Sequence, residues 1–447
     1  MFSTVQRKAP SLSLPAWPAG AHIARLIGYV LPYDAIAETG EHPFVVKAVF
    51  MDGEPGVTMS ADGIIRHDLS MKANLPLAHT MVKGVDLWDG HLAHGAQDLA
   101  LPGRGLGLEF SRAYGSGGVQ TDGPLGAGWT HNYNVRLVKD NCGRYVVVGG
   151  EGSGNAFTNP HQDAGKAALF ASPTFTVGED ALFYDPQIGY HSTLIRDGEN
   201  ANRFDFFTPA HIRYHFEREN DLKGEVYTLR FIEDSNGNRV TLDYKTGDTD
   251  ATTLDRVTNA SGYTVDFTYR RVANEARIVK LLADVGDPDL GITVEYGYDT
   301  LGNLTAVTRT TPYADFALND ARVNRYTYTT DNPEDPYNLN SVTDPDGAVT
   351  EYVYYAPTDP MAGYIGDFQV AKHEFVKEIR QPEGVTTRFV YTISMNPAVP
   401  NQRAVSDPRP GVPATVYTLN SYGAAVRVDA PLGHTTQTIW CLSLIHI

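Results

Sequence analysis

DPDGAVTEYVYY, residues 344–355, joins a turn signal to a strand signal. Pro345 fixes φ near the start of the turn, and Gly347 can adopt the positive φ that a tight loop needs. The run that follows is rich in Val, Thr and Tyr, which favour strands. The stretch therefore predicts a hairpin with a loop of about three to five residues. A single hairpin is only marginally stable, so the fold depends on whether the chain repeats it.

The same unit recurs around other glycines. Val342 lies five residues before Gly347, while Tyr352 and Tyr354 lie five and seven residues after it. Four more anchors repeat this spacing, with Val or Ile before the turn and an aromatic residue seven after it: Gly237 (Ile232, Leu242, Tyr244), Gly262 (Val257, Phe267, Tyr269), Gly384 (Ile379, Phe389, Tyr391) and Gly433 (Val428, Thr438, Trp440). Gly291 matches only downstream, at Tyr296 and Tyr298. The two downstream positions differ by two and share one face of a strand, so Tyr352 and Tyr354 are predicted to be mostly buried.

The intervals between the anchors are unequal, which argues against a solenoid of identical rungs. The pattern instead predicts an all-β protein in which successive antiparallel hairpins lie side by side in one long curved sheet. Insertions would then lie at the loop tips. Strand-like runs interrupted by glycine turns before residue 70 predict a small β-rich region at the N-terminal end.

The composition indicates a folded protein, and its net negative charge argues against binding to nucleic acid or to anionic membranes. Hydrophobic residues make up 42% and charged residues 20% of the 447 residues. The net charge of -17 repels phosphate backbones and anionic lipid. The sequence contains no apolar run of about 18 residues, so it predicts no membrane span. The first residues lack the pattern of a signal peptide. Two cysteines, Cys142 and Cys441, cannot form a disulfide framework.

Two groups of residues resemble the Rhs/YD-repeat family. The repeats are similar to that family's unit, and YDTLGNLTAVT at 298–308 is the copy most like it. QDLALPGRGLGLEFSRAYGS at 97–116 and GPLGAGWTHNYNVRLV at 123–138 resemble the segment that precedes the repeats in the family. The resemblance covers about residues 85–440. It divides the chain into an unassigned region at 1–84, a pre-repeat segment at 85–164 and a repeat sheet at 165–440.

The resemblance implies a sheet wound into a hollow shell around a variable C-terminal toxin domain. Family members often carry an aspartate-based self-cleaving segment after the repeats, but no DPxGL pattern occurs here. The tail CLSLIHI at 441–447 abandons the repeat pattern and is interpreted as non-native. The implied partners are the protein's own toxin domain and a secretion apparatus, and the implied location is secreted or at a bacterial cell surface.

No catalytic, cofactor or metal site is predicted. Asp234, Asn236 and Asn238 are spaced like the start of a calcium loop, but the glycine is misplaced and Lys245 stands where the loop needs Glu. His91 and His94 suit one face of a helix, yet no further zinc ligands accompany them. The glycine-rich stretches at 103–109 and 149–155 match no nucleotide-binding loop, so they are interpreted as turns.

Trp129 and His131, in GAGWTHNYN, form the most distinctive local cluster and allow two interpretations. An exposed aromatic ring there could stack on a sugar. Alternatively, the tryptophan anchors the first strand of the sheet, which is the interpretation that we favour.

Three functions are compatible with the sequence. The favoured hypothesis is a non-catalytic shell and delivery scaffold of an Rhs-type polymorphic toxin, of which this chain is the N-terminal part. A second is a cell-surface adhesin that binds carbohydrate through the same repeats. A third is a secreted enzyme whose site lies in residues 1–84 or in the insertions.

Overall fold

A computed structural model describes most of the chain after residue 78 and two backbone segments before it. The described ranges are 40–49, 58–67, 79–118, 122–140, 143–150, 154–186, 190–218, 226–245, 253–286, 291–310, 322–330, 336–356, 359, 375–392, 401–420 and 423–438. Cys142, Trp440 and the tail at 441–447 lie outside them, as does most of the 1–84 region.

The first nine strands precede the large sheet: β1 (Gly40–Val49), β2 (Thr58–His67), β3 (Met81–Val82), β4 (Val85–Asp86), β5 (Ala93–Leu101), β6 (Leu108–Gly115), β7 (Asp122–Gly123), β8 (Gly126–Ala127) and β9 (Trp129–His131). β1 and β2 form an antiparallel hairpin within the region that the sequence predicts to be β-rich. β5, β6 and β9 form a three-stranded sheet, which we call the small sheet.

The next 23 strands form one sheet, which we call the large sheet, and pair in chain order. They are β10 (Arg136–Lys139), β11 (Tyr145–Val148), β12 (Gly154–His161), β13 (Leu182–Pro186), β14 (Thr193–Arg196), β15 (Arg203–Phe207), β16 (Arg213–Arg218), β17 (Val226–Glu233), β18 (Arg239–Tyr244), β19 (Leu254–Thr258), β20 (Thr264–Val272), β21 (Glu275–Asp284), β22 (Ile292–Tyr298), β23 (Leu304–Thr310), β24 (Arg322–Tyr328), β25 (Leu339–Thr343), β26 (Val349–Tyr354), β27 (Val376–Arg380), β28 (Thr386–Thr392), β29 (Asn401–Val405), β30 (Thr415–Leu419), β31 (Ala425–Asp429) and β32 (Thr435–Gln437). All of their pairings are antiparallel, and the described α-helix is the short α1 (Ala164–Ala167). The structure confirms the predicted all-β class and the succession of hairpins.

The first eight strands of the large sheet close into a ring. Residues 226–228 of β17 pair with 136–138 of β10, while 231–233 of the same strand pair with β18. Four aromatic side chains fill the space that these strands enclose: Tyr145, Tyr184, Phe204 and Tyr227. The centroids of neighbouring side chains lie 4.7–6.1 Å apart. β17 therefore belongs both to the closed ring and to the open repeat sheet that follows.

The strand-like run from Trp129 to Val138 does not form one strand, because a turn divides it between two sheets. β9 ends at His131 in the small sheet, and β10 begins at Arg136 in the large one. The Asn134 amide donates to the His131 carbonyl, and the Asn132 side chain bonds the backbone of Ser111 and Glu109. The change of sheet therefore falls inside the predicted pre-repeat segment, whose residues from 136 onward already belong to the large sheet.

The anchor glycines lie in left-handed turns. Gly237, Gly262, Gly347, Gly384 and Gly433 have φ between +77° and +83°. At residues 344–348 the Gly347 amide donates to the Asp344 carbonyl at 2.9 Å, which closes the turn that leads into β26. L-residues rarely adopt this φ, which accounts for glycine at these positions.

The aromatic residue seven after the anchor lies beside a β-bulge at three of the four anchors for which it is described, the exception being Tyr391. Tyr354 pairs with Val376 while Val353 pairs with Glu378, so Lys377 is an extra residue in β27. The same irregularity comes just before Tyr244, Tyr269, Tyr298 and Tyr328. A bulge disrupts the regular hydrogen-bond ladder.

Five tyrosine hydroxyls donate to carbonyls at the bulge of the preceding strand. The pairs are Tyr244 with Leu229 (2.8 Å), Tyr298 with Ile278 (2.6 Å), Tyr328 with Leu304 (2.8 Å), Tyr354 with Leu339 (2.9 Å) and Tyr391 with Val376 (2.9 Å). Each hydroxyl thus supplies a donor where the strand ladder is irregular. These bonds explain what tyrosine adds at this position compared with an aromatic residue that has no hydroxyl.

The burial of the repeat positions follows the period of two. Phe267, Tyr352 and Phe389, five after their anchors, are buried. Tyr269 and Tyr354, seven after, are partly buried and pack against the same core. In the last repeat, Thr438, five after Gly433, is exposed.

Candidate functional site

The small sheet turns one face toward the repeats. Along β6, Leu108, Phe110, Arg112 and Tyr114 share that face because side chains alternate in a strand, and all four are buried. β9 extends the same face, since His131 pairs with Arg112 and Trp129 pairs with Tyr114. The side chains opposite come from β20, β22 and β24 of the large sheet. This interface is the candidate site.

A buried arginine lies at the centre of the interface. Arg112 Nε donates to Asp98 Oδ2 at 2.7 Å, and Nη2 donates to the Tyr326 hydroxyl at 2.8 Å. The Tyr296 hydroxyl donates to the same Asp98 oxygen at 2.8 Å. Burial acts to lower the pKa of Arg112, but Asp98 outweighs it and raises the pKa, so the guanidinium is charged. One ion pair thereby ties two strands of the small sheet to β22 and β24.

Trp129 and His131 are both inside this interface. Trp129 is 2% exposed and His131 is 3% exposed, so neither ring has an exposed face on which a sugar could stack. Trp129 Nε1 donates to the Tyr328 hydroxyl at 2.8 Å, and His131 stacks on Phe110 with centroids 5.1 Å apart. The alternative in which they contact a ligand is therefore corrected, because the fold places them in the core.

Two histidines of the interface are neutral. Burial lowers the pKa of His131 to about 3. Burial and the nearby charge of Arg112 together lower the pKa of His94 to about 4. The ring of His94 lies 6.1 Å from Trp129 and 6.2 Å from Tyr326, measured between centroids.

Further contacts fasten the residues around the small sheet along the repeats. Tyr114 donates its hydroxyl to the Tyr337 carbonyl and accepts from the Leu339 amide. The Ile278 amide donates to the Pro124 carbonyl at 2.9 Å. Near the other end, Arg403 donates to the carbonyls of Leu87 and Trp88. These hydrogen bonds with the segment at 79–135 thus reach strands from β21 to β29.

The other residues singled out in the sequence serve the local backbone. Asp234 accepts from the amides of Asn236 and Asn238, which closes a turn. His91 lies 2.9 Å from Asp89, and His94 is in the interface. Within the ranges given above, no three His, Cys, Asp or Glu side chains gather closely enough to hold a metal ion. Nor is any helix among those residues long and apolar enough to cross a bilayer.

A second polar cluster lies on the adjacent strands β15, β16, β17 and β18. Asp205 Oδ1 accepts from Arg213 at 2.7 Å and pairs with His215 Nδ1 at 2.8 Å. An open groove of about 450 Å³ lies beside it, lined by His215, Glu217, Arg230, Phe231, Thr241, Leu242, Asp243 and Tyr244. His215 stacks on Phe231 with centroids 4.7 Å apart, and Arg239 lies 4.2 Å from the same ring. His215 and Arg239 thus pack against the ring of Phe231. We therefore interpret the cluster as part of the surface of the sheet.

Sequence reasoning overlooked Arg112 and Asp98, although one signal was present. In LEFSRAY, residues 108–114, every second residue is apolar except Arg112. A charged residue on an otherwise apolar strand face is rarely buried without a partner. That pattern predicts a buried acid, but periodicity alone does not say that Asp98 is the residue.

Known proteins resemble parts of this chain. Residues 83–157 match a family described as a domain of unknown function, DUF6531. No curated protein matches the chain. The solved Tc holotoxin pore of Photorhabdus luminescens is similar over 80% of this chain and 22% of its own, at 12% identity and a TM-score of 0.39.

Two further solved structures are similar at the same level. The crystal structure of TcdB2–TccC3 is 13% identical, with a TM-score of 0.33, over 64% of this chain and 17% of its own. That of TcdB2–TccC3–Cdc42 is 11% identical, with a TM-score of 0.37, over 78% of this chain and 19% of its own. The chain thus spans 22% or less of the length of each of these structures, and its family match is confined to residues 83–157.

Proposed function

We propose that this chain is a non-catalytic structural wall, part of the shell and delivery scaffold of an Rhs-type polymorphic toxin. The proposal rests on how the repeat side chains are used. Tyrosine hydroxyls that could bind a ligand donate instead to backbone carbonyls, as Tyr354 does to Leu339. The aromatic rings pack against one another and against the small sheet. Such a surface supports a rigid wall and leaves few groups for chemistry.

The resemblance of the repeats and of the pre-repeat segment to the Rhs/YD-repeat family supplies the rest of the proposal. In this account the whole protein is secreted, carries a toxin domain beyond the repeats and is handled by a secretion apparatus. The acidic surface would keep a large β-sheet protein soluble. The carbohydrate-binding alternative would need exposed aromatic rings, and Trp129 is not one of them.

The test is proteolysis of the protein encoded by the complete gene. We expect a separate domain after the repeats that resists trypsin in the intact protein and is cleaved when expressed alone. A native reading frame that ends just after residue 440, or a downstream domain cleaved equally fast in both settings, would contradict the scaffold function. Binding of the chain to a glycan array would favour the adhesin instead.

A further inference from the structure

The interface between the two sheets concentrates basic side chains around a single acid. Arg112, His94 and His131 all belong to the small sheet, and Asp98 is the carboxylate that pairs with Arg112. Because His131 is the cross-strand partner of Arg112, their side chains lie on the same face of adjacent strands. Arg112 Nη1 and His131 Nδ1 are both buried without a hydrogen-bond partner among the described residues.

The groups that face the histidines cannot absorb further positive charge. Phe110 and Phe267 lie against His131, and Trp129 and Tyr326 lie against His94. Asp98 Oδ2 accepts from both Arg112 and Tyr296. Burial raises the pKa values of Tyr296, Tyr326 and Tyr328, so these phenols are neutral. Protonating either histidine would place a new cation beside Arg112 in an apolar setting.

We propose that the small sheet is an acid-sensitive latch, which loosens from the repeats when His94 and His131 become protonated between pH 7 and pH 5. The inference concerns this chain alone and does not depend on the proposed scaffold function. Release would uncover the aromatic face formed by residues such as Phe267 and Tyr326.

The direction of the effect follows from proton linkage. A histidine exposed to solvent titrates near pH 6.5, whereas the pKa values of His94 and His131 in the closed interface are about 4 and about 3. The open form therefore binds more protons, and the histidines favour the closed form fully only above about pH 6.5. From pH 7 to pH 5 the equilibrium constant for opening should rise on the order of 500-fold for the two histidines together and roughly 20-fold for His94 alone.

Amide hydrogen exchange of the whole chain tests the latch, with rates corrected for the intrinsic effect of pH. In the wild type, amides of β5, β6 and β9 should lose protection on the order of 500-fold between pH 7 and pH 5. Amides of β24–β26 should change by less than about tenfold over the same range, because opening is local. Protection of the small sheet that is equal at both pH values, or an equal loss in β24–β26, would overturn the proposal.

Matched variants assign the effect to the two histidines. The double variant His94→Gln, His131→Phe removes both titrating groups, so protection of its small sheet should change by less than about tenfold between the two pH values. His191→Gln with His434→Gln alters two exposed histidines and should behave as the wild type. A double variant with the full wild-type pH response would refute the assignment. Should that variant fail to fold, His94→Gln alone must weaken the pH response by roughly 20-fold.

Discussion

At the scale of single residues, a hydroxyl distinguishes the repeat tyrosines from phenylalanine. Phe267 and Tyr352 both occupy the position five after an anchor, where an aromatic ring suffices. At the position seven after, hydroxyls such as that of Tyr354 reach carbonyls at the neighbouring bulge. A partly buried carbonyl left without a donor costs free energy, and the hydroxyl removes that cost. The repeat is therefore defined by a glycine that turns the chain and a tyrosine that satisfies its backbone.

Removing one of these hydroxyls should destabilise the chain measurably. Tyr354→Phe keeps the ring but leaves the Leu339 carbonyl without its donor, and it should lower the free energy of unfolding by about 1–2 kcal/mol. Urea denaturation followed by circular dichroism measures the change. Tyr352→Phe, two residues away in β26, is the control and should cost less than about 0.5 kcal/mol. Equal effects of the two changes would refute the role given to the hydroxyl.

The sequence was informative at this scale because turns and strand faces depend on nearby residues. The positive φ of Gly347 and the burial of Tyr352 both follow from local spacing. The bulge at Leu339, whose carbonyl accepts from the Tyr354 hydroxyl, does not, because it depends on how β25 pairs with β24. Periodicity could therefore place the tyrosine on a face but could not identify the partner of its hydroxyl.

At the scale of elements, the small sheet is joined to the repeats by polar bonds as well as by apolar packing. Arg112 bonds Asp98 within its own sheet and Tyr326 in β24. The guanidinium also lies 5.0 Å from the Trp129 ring and 5.1 Å from the Tyr326 ring. A buried ion pair adds little net stability compared with an apolar core, but it strongly penalises arrangements in which one partner is missing. The pair therefore favours one register of the two sheets.

Arg112→Met should be among the most destabilising substitutions in the chain. It leaves the Asp98 carboxylate buried without its cation, at an expected cost of about 3–5 kcal/mol in the free energy of unfolding. Adding Asp98→Asn should recover part of that loss. Arg409→Met, which breaks an exposed pair with Asp407, is the control and should leave the urea midpoint unchanged. A midpoint for Arg112→Met close to that of the control would contradict the central position of the pair.

Close backbone approach gives a second test of how the segment before the repeats packs on them. Gly126, in the β7–β8 hairpin, has φ of +105°, and a Cβ there would lie 2.7 Å from the carbonyl oxygen of Gly302 in the turn between β22 and β23. Gly347 has a similar strain at φ of +83°, but a Cβ would meet nothing within 4 Å. Gly347→Ala should cost about 1–2 kcal/mol from the backbone alone. Gly126→Ala should cost at least about 1 kcal/mol more, because it also pushes the β7–β8 hairpin away from the turn at Gly302. Equal thermal shifts would argue against this contact.

At the scale of the whole molecule, two long-range events organise the chain. β17 returns to pair with β10, which closes the ring, and the small sheet covers the aromatic face of the repeats. Neither event follows from local pattern, because strands such as β6 and β24 are separated by about 200 residues of sequence. The all-β class and the hairpin succession were predictable, since each depends on short-range spacing. The interface between the two sheets was not predictable. The sequence therefore left two interpretations of Trp129, a ring that stacks on a sugar or an anchor of the sheet.

The covered aromatic face is the central claim, and a double-mutant cycle on Trp129 and Tyr328 tests it most directly. The two side chains belong to different sheets and share one hydrogen bond of 2.8 Å. The variants Trp129→Phe, Tyr328→Phe and the pair together are compared by urea denaturation. Contact between the sheets predicts a coupling energy of about 1 kcal/mol between the two changes. Effects that add to within about 0.3 kcal/mol would contradict it, because they would mean that Trp129 lies apart from the repeats.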